Sequence, residues 1–206
     1  MFDGIIFDVD GTLWDSTPVV EEAWNQAFDD YGIAHEKITA DRLKGLFGLP
    51  MDDIIADLLP EATAEERAAI APFCFKYEHE YLEKKAGVLY PELEETLCAL
   101  SKKYKLFIVS NCQAGYIELF LKKTGFGPYI TDHLCPGDTD LLKADNIKLI
   151  AERNGLKNPV YVGDTGMDEK ACEDAGVPFI FATYGFGKAK NPINTIDKPL
   201  DLVDIL

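Results

Sequence analysis

Two aspartates separated by one residue, Asp8 and Asp10, are the first residues of this chain that could do chemistry. They directly follow a short apolar run, Gly4–Phe7, which predicts a β-strand buried on both faces. Residues i and i+2 of a strand point the same way, so both carboxylates are expected at its carboxyl end, where α/β sheets bind ligands. A carboxylate there can act as a nucleophile, exchange a proton or ligate a metal ion.

The two residues after these aspartates make the pattern more specific. Gly11 permits a tight turn, and Thr12 supplies a hydroxyl and a backbone N–H group that can bind an anion. An Asp-Gly pair alone is typical of an ordinary turn after a strand. The full pattern Asp-x-Asp-Gly-Thr arises by chance on the order of once in several hundred to a thousand such chains, and it therefore favours a functional site.

Two further segments carry groups that can bind an anion. Ser110 and Asn111 follow a second apolar run, Lys105–Val109, and precede a helical pattern whose N-terminus would also favour an anion; a cap and turn is the alternative. Lys143 lies near the start of the helical pattern Leu142–Asn154, where a cation opposes the helix dipole. An anionic ligand would explain that lysine, although surface lysines are also common.

A second pair of aspartates, Asp164 and Asp168, is separated by one helical turn and follows a third apolar run, Pro159–Val162. Capping of the next helix by Asp164 alone would not require Asp168. Clustered with Asp8 and Asp10, these carboxylates would repel one another by roughly several kcal/mol if they were partly buried without a cation. The sequence therefore predicts a site for a hard divalent ion such as Mg²⁺.

The elements that must position these residues alternate between strands and helices. Further strands are predicted at Pro178–Ala182 and around Ile130–Leu134, and helices at Glu92–Lys103, Tyr116–Thr124 and Asp168–Ala175. This alternation is typical of a doubly wound, Rossmann-like parallel α/β sheet.

Residues 15–86 do not follow this alternation, because their pattern is almost entirely helical. Pro18 near one helix start and a capping box, Thr63-x-x-Glu66, support two of the helix starts. We therefore predict an α/β core formed by residues 1–14 and 87–206, with an α-helical unit of residues 15–86 inserted after the first strand.

The composition limits the classes of partner. The 206 residues carry 20 Lys and Arg against 36 Asp and Glu, a net charge of −16, so neither nucleic acid nor an anionic membrane is an expected partner. The five cysteines are odd in number and include no Cys-x-x-Cys pair, which indicates reduced thiols and a cytoplasmic location. No basic leader is recognised, and no apolar run approaches the ~18 residues of a membrane span.

In these motifs the chain resembles the haloacid dehalogenase superfamily of phosphohydrolases, whose four motifs occur here in order. The likeness spans essentially the whole chain, because the helical unit occupies the place of that family's helical cap. Gly163-Asp164-Thr165 and the run Thr183–Gly187 are similar to the phosphoglycolate-phosphatase-like branch. Two positions depart from the family pattern: Ala144 replaces the proline that usually follows the motif lysine, and Glu92 replaces a common glycine.

The resemblance implies a Mg²⁺-dependent phosphatase that hydrolyses a small phosphorylated metabolite through an aspartyl-phosphate. Asp8 would be the nucleophile, and Asp10 the general acid and base. Mg²⁺ would be bound by Asp8, the backbone carbonyl of Asp10 and Asp164, while Asp168 orients a metal-bound water. The remaining motif residues would hold the phosphate oxygens: Gly11, Thr12, Ser110, Asn111 and Lys143.

Two other functions stay open at this point. A sugar-phosphate mutase of the same family, similar to β-phosphoglucomutase, would return the phosphoryl group to a second hydroxyl of the sugar. Such mutases typically carry a cap arginine close to the position of Gly48, which favours hydrolysis here. A non-catalytic phosphate-binding module is a more remote alternative, because all the acidic motif residues are present. A monomer or a small homo-oligomer is expected.

Overall fold

The apolar runs of the sequence pair into one six-stranded sheet whose strands are all parallel. The computed structural model describes residues 2–206. Its strands are β1 (Gly4–Phe7), β2 (Trp14–Asp15), β3 (Val88–Leu89), β4 (Lys105–Val109), β5 (Ile130–Leu134), β6 (Pro159–Gly163), β7 (Phe179–Ala182) and β8 (Asn194–Ile196). The order across the large sheet is β5–β4–β1–β6–β7–β8, so β1 lies in the middle, between β4 and β6.

The register of the three central strands brings their carboxyl ends together. Phe7, the last residue of β1, pairs with Ile108 of β4 and with Val162 of β6. The polar residues that follow these strands therefore begin within one or two residues of the same level along the sheet. This is the place in a doubly wound sheet where the strand order reverses and ligands bind.

Helices lie between the strands along the chain. They are α1 (Thr17–Tyr31), α2 (Ala40–Lys44), α3 (Met51–Leu58), α4 (Ala64–Lys84), α5 (Leu93–Leu100), α6 (Tyr116–Thr124), α7 (Pro136–Thr139), α8 (Lys143–Arg153), α9 (Gly166–Ala175) and α10 (Leu202–Ile205). Gly127–Tyr129 and Pro199–Asp201 form 3₁₀ helices. Ile147 and Ile150 of α8 and Cys172 of α9 share a buried cluster with Phe107 and Tyr161 of the sheet.

The chain divides into two units. One contains the residues up to Asp15 together with Val88–Leu206, and it holds the whole six-stranded sheet. β2 and β3 pair antiparallel in the same unit, next to the two places where the chain leaves and re-enters it. The other unit is Ser16–Gly87. These limits differ by one residue from the predicted limits of 15–86 for the inserted unit.

The unit Ser16–Gly87 is built from α1 to α4 around its own core. Trp24 and Phe28 of α1 pack there with Ile55 of α3 and Ile70 of α4. Glu78 of α4 is buried in this unit, and its carboxylate accepts a hydrogen bond of 3.0 Å from the Trp24 indole N–H. The predicted role of this unit as a cap stays a prediction.

No helix within residues 2–206 combines the length and the apolar character that a bilayer crossing demands.

Candidate active site

Asp8 lies directly after β1 and is only 4% exposed. Its Oδ1 accepts a hydrogen bond of 2.9 Å from Lys143 Nζ, and the Ser110 side chain hydrogen-bonds to the same carboxylate. Burial raises the pKa of Asp8 above its ordinary value; Lys143 opposes this rise and the charge of Asp168 adds to it. A cation and a hydroxyl therefore fix the direction of the Asp8 carboxylate.

Lys143 is the first residue of α8, and its ammonium group is buried between two carboxylates. Besides Asp8, it donates a hydrogen bond of 2.5 Å to Asp168 Oδ1, and it lies 5.4 Å above the ring of Tyr161. Burial lowers the pKa of Lys143, but the charges of Asp168 and Asp8 outweigh burial and raise it above its ordinary value. These two carboxylates supply the negative charge that explains a lysine at a helix N-terminus.

Asp168 binds Lys143 and also binds the residues at the start of α9. Its Oδ2 accepts hydrogen bonds from the backbone N–H groups of Asp164 and Thr165, and from the Thr165 hydroxyl at 2.7 Å. Thr165 in turn accepts from the Asp168 N–H, which completes a capping box. The cap of α9 is therefore Thr165 rather than Asp164, and the Thr-x-x-Asp spacing is the sequence signal for it.

Asp164 follows β6 and is fully buried. Its Oδ1 accepts from the Thr12 hydroxyl at 3.3 Å, and its Oδ2 accepts from the Phe186 backbone N–H at 2.7 Å. Within residues 2–206 no lysine or arginine forms an ion pair with it. Burial raises the pKa of Asp164 well above its ordinary value, and repulsion from Asp168 and Asp8 adds to this. Burial and repulsion thus disfavour the ionised form of Asp164, and a bound cation would favour it.

Two glycines make room for Asp164. A Cβ atom added at Gly11 would lie 2.0 Å from Asp164 Oδ2, and one added at Gly185 would lie 2.2 Å from Asp164 Cβ. Gly11 also has a positive φ of 81°. The turn predicted at Gly11 is present, but the Phe186 N–H donor was not foreseen, because a backbone N–H leaves no residue-type signal.

Backbone N–H groups in the loop after β1 donate hydrogen bonds to nearby backbone carbonyls. The Gly11 N–H donates to the Trp14 carbonyl at 2.9 Å, and the Thr12 N–H donates to the Val9 carbonyl at 3.2 Å. Asn111 lies in the loop directly after Ser110. These contacts show how Gly11 and Thr12 shape the loop; phosphate binding by Gly11, Thr12 and Asn111 stays a prediction.

Asp10 is half-buried, and its carboxylate faces a tyrosine. The Tyr116 hydroxyl lies 2.9 Å from Asp10 Oδ1 and 2.7 Å from Oδ2, and the Trp14 indole Nε1 lies 3.3 Å from the same hydroxyl. Tyr116 was expected at a helix start, without a functional role, and it is the first residue of α6. Its position at the start of the helix after Ser110 and Asn111 was the available signal.

Three carboxylates form a group that fits a divalent cation. Asp8, Asp164 and Asp168 each offer one oxygen, and the three oxygens lie within 4.8 Å of one another. Lys143 compensates only one of these three charges. Hard carboxylate oxygens are the ligands that Mg²⁺ and Ca²⁺ prefer. Asp168 Oδ1 binds the Lys143 ammonium and its Oδ2 accepts three hydrogen bonds, whereas each oxygen of Asp164 accepts a single one. Asp8 and Asp164 are therefore the side chains best suited to bind the ion.

Known proteins resemble this chain in sequence and in fold. The chain is 28% identical to a phosphoglycolate phosphatase of Photobacterium profundum, over 98% of this chain and 94% of that protein. It is 29% identical to a phosphoglycolate phosphatase of Vibrio vulnificus, over 98% and 95% of the two chains. A haloacid dehalogenase-like family hydrolase of Streptococcus pneumoniae superposes with a TM-score of 0.87 at 21% identity, covering 99% of this chain and 98% of its own, and so shares the fold.

The family assignment rests on a match that covers most of the chain. The family model for haloacid dehalogenase-like hydrolases matches residues 5–182, which include every acidic residue of the site described above. The protein therefore belongs to the haloacid dehalogenase-like hydrolase family.

Proposed function

We propose that this hydrolase cleaves a small phosphomonoester in a Mg²⁺-dependent reaction, with Asp8 as the nucleophile and an aspartyl-phosphate as the intermediate. The observation that carries the proposal is the buried Asp8 carboxylate, which Lys143 and Ser110 fix beside Asp164. A general acid, Asp10, follows two residues later. A nucleophile, a proton carrier and a cation site thus come from one strand end and its neighbours.

The proposed ion site uses Asp8, Asp164 and the backbone carbonyl of Asp10. When bound there, Mg²⁺ neutralises the negative charge of the carboxylates and of the phosphoryl group. Asp168 contributes indirectly, because it binds Lys143 and completes the capping box of α9. Thr12 and the Phe186 N–H keep the Asp164 carboxylate in its place.

In the first step, a carboxylate oxygen of Asp8 attacks phosphorus and the bond from phosphorus to the ester oxygen breaks. Asp10 gives its proton to that oxygen, so the product leaves as a neutral alcohol. Lys143, Ser110 and Asn111 are proposed to hold the other phosphate oxygens, because these side chains surround Asp8 or follow the neighbouring strand.

In the second step, Asp10 takes a proton from a water molecule that attacks the phosphorus of the aspartyl-phosphate. The bond between phosphorus and Asp8 breaks, which releases inorganic phosphate and restores the carboxylate. The same side chain therefore acts first as an acid and then as a base.

For the substrate we propose a small phosphorylated metabolite, either phosphoglycolate or a sugar phosphate. The names of the two relatives support phosphoglycolate, and both align over nearly the whole chain. The acidic surface argues for a small substrate that depends on Lys143 and on a bound cation for its charge.

The proposal is tested with wild-type protein and the Asp8→Asn variant on nitrophenyl phosphate, phosphoglycolate and a panel of sugar phosphates, with Mg²⁺ and with EDTA. We expect Mg²⁺-dependent release of inorganic phosphate by the wild type and none by the variant. Equal rates for the two proteins would refute Asp8 as the nucleophile. Isomerised sugar phosphate without free phosphate would instead show a mutase.

A further inference from the structure

Asp10, the proposed proton carrier, is held by a side chain outside the four motifs. Tyr116 places its hydroxyl within hydrogen-bond distance of both carboxylate oxygens, at 2.9 and 2.7 Å. Behind that hydroxyl is the indole Nε1 of Trp14, at 3.3 Å. We propose that Tyr116 is a positioning residue for proton transfer by Asp10, and that Trp14 directs its hydroxyl proton; this inference rests on the proposed function.

The direction of these hydrogen bonds follows from the chemistry of the three groups. An indole N–H can only donate, so the Tyr116 oxygen is the acceptor from Trp14. A tyrosine hydroxyl carries a single proton, and the Asp10 carboxylate accepts it. Donation therefore runs from Trp14 to Tyr116 to Asp10. The arrangement matches Asp10 as a carboxylate, or as an acid whose own proton lies elsewhere on the group.

The two side chains that hold the Asp10 carboxylate, Tyr116 and Trp14, are buried and closely packed. Tyr116 is 1% exposed and Trp14 is fully buried. Their rings pack edge to face with centroids 6.0 Å apart, and Trp14 makes a second such contact with Phe120 at 4.9 Å. Tyr116 begins α6, Trp14 lies in β2 and Asp10 lies in the loop after β1, so three separate elements meet at one hydroxyl.

Positioning by Tyr116 matters because Asp10 transfers a proton in both steps of the proposed reaction. A carboxylate offers about four lone-pair sites, and a proton carrier works only when the correct site faces the reacting oxygen. The Tyr116 hydroxyl lies almost midway between the two oxygens, so it holds the carboxylate in position without selecting one oxygen. It also stabilises the carboxylate that forms when Asp10 releases its proton to the leaving alcohol.

The test is Tyr116→Phe, which removes one oxygen and keeps the ring contact with Trp14. An alkyl phosphate needs the Asp10 proton to leave, whereas nitrophenolate leaves with little help. We expect kcat on phosphoglycolate or another alkyl phosphate to fall about 10-fold to 100-fold, as for a misplaced catalytic group. KM and the pre-steady-state burst on nitrophenyl phosphate are expected to stay close to those of the wild type.

A matched control is Tyr104→Phe. Tyr104 lies in the same unit and donates its hydroxyl proton to the Leu206 carbonyl, away from the acidic residues. This variant loses the same atom, and we expect it to keep the wild-type ratio of alkyl to nitrophenyl activity. Thermal melting of both variants measures the loss of stability separately.

The double variant Asp10→Asn/Tyr116→Phe completes the test. If Tyr116 acts through Asp10, removing its hydroxyl causes no further loss of alkyl activity in the Asp10→Asn background. A further loss there would overturn the inference, and so would a burst rate of Tyr116→Phe on nitrophenyl phosphate that falls as much as its alkyl activity. Asp8→Asn distinguishes the two proposals. If Asp8→Asn is inactive while Tyr116→Phe behaves as wild type, only the positioning role fails; if Asp8→Asn is as active as wild type, the proposed function fails and the positioning role with it.

Discussion

At Gly11 the backbone conformation and the position of the Asp164 carboxylate both require a residue without a side chain. Its φ of 81° disfavours any side chain, and an added Cβ would meet the Asp164 carboxylate at 2.0 Å. Gly11→Ala is expected to cost about 1–2 kcal/mol for the backbone and about 1–3 kcal/mol more for the overlap. Because the overlap falls on Asp164, Mg²⁺ affinity and kcat are expected to fall as well; urea denaturation and a Mg²⁺ titration measure these effects.

Gly125 provides the control for Gly11. It has a similar φ of 76°, but nothing lies within 4 Å of an added Cβ. Gly125→Ala is therefore expected to show only the backbone cost of about 1–2 kcal/mol, with unchanged activity. Equal losses of stability and activity in the two variants would contradict the assigned contact with Asp164.

Some residues of the site could be predicted from the sequence, and others could not. Asp8, Asp164 and Asp168 follow strand ends at characteristic spacings, and the structure brings them together around Lys143. The position of Tyr116 at a helix start did not indicate its contact with Asp10, because that contact depends on how α6 packs against Trp14. Contacts between distant elements are decided by packing, which spacing along the chain does not encode.

At the scale of single elements, the cap of α9 joins stability to the site. Thr165 both caps the helix and donates to Asp168 Oδ2. Thr165→Ala is expected to destabilise the protein by about 0.5–2 kcal/mol, as other cap removals do. It is also expected to lower kcat, because Asp168 loses a partner that orients it toward Lys143. Denaturation curves and steady-state kinetics measure the two effects.

Thr63 is the matched control for Thr165. It forms the same capping box with Glu66 at the exposed start of α4. Thr63→Ala is expected to destabilise the helical unit by a similar amount, about 0.5–2 kcal/mol, while kcat stays at the wild-type value. A normal kcat in Thr165→Ala would show that the α9 cap has only a structural role.

The end of α8 is tied to β5 by an ion pair that predicts a pH dependence. Asp132 accepts hydrogen bonds from Arg153 Nε at 2.6 Å and Asn154 Nδ2 at 2.7 Å. Partial burial raises the pKa of Asp132, but the hydrogen bonds from Arg153 and Asn154 outweigh burial and lower it below its ordinary value. The ionised form therefore stabilises the fold, fully above the ordinary Asp pKa of ~3.9 and less as the pH falls through the lower folded value.

Arg153→Gln tests this pair. At pH 7 it is expected to lower the free energy of unfolding by no more than about 1 kcal/mol, because both side chains are partly exposed. The difference from wild type is expected to shrink below about pH 4, where Asp132 takes up a proton. Urea denaturation at pH 7, 5 and 3 measures it. A difference that does not change with pH would contradict the lowered pKa.

The long elements were predictable and the short ones were not. The five apolar runs form β1, β4, β5, β6 and β7, and the capping box at Thr63 occurs as expected. The strands β2, β3 and β8 contain two or three residues each, so they carry no apolar pattern of their own. Pairing with an existing neighbour stabilises them, and the sequence does not display that neighbour.

At the scale of the whole molecule, the net charge of −16 predicts an unusual salt dependence. A negative field repels a phosphate ester before it reaches Lys143, and added salt screens this long-range repulsion. With Mg²⁺ kept saturating, kcat/KM is expected to rise about 2-fold to 5-fold as KCl increases from about 20 to about 200 mM, while kcat stays constant. A fall in kcat/KM would show that the local positive charge dominates the approach.

The central position of β1 has a consequence for the way the protein is made. β1 and Asp8 are translated before both neighbours of β1 in the sheet, β4 on one side and β6 on the other, and β6 is translated last of the three. Until β6 emerges, the nascent chain displays an unpaired apolar strand edge, which invites association with other chains and with chaperones. Asp164 and Asp168 follow β6, so no truncated product that ends before them can carry the acidic centre. Translation therefore yields the assembled site only after β6 and Asp168 have been synthesised, and chains that end before them are expected to be inactive.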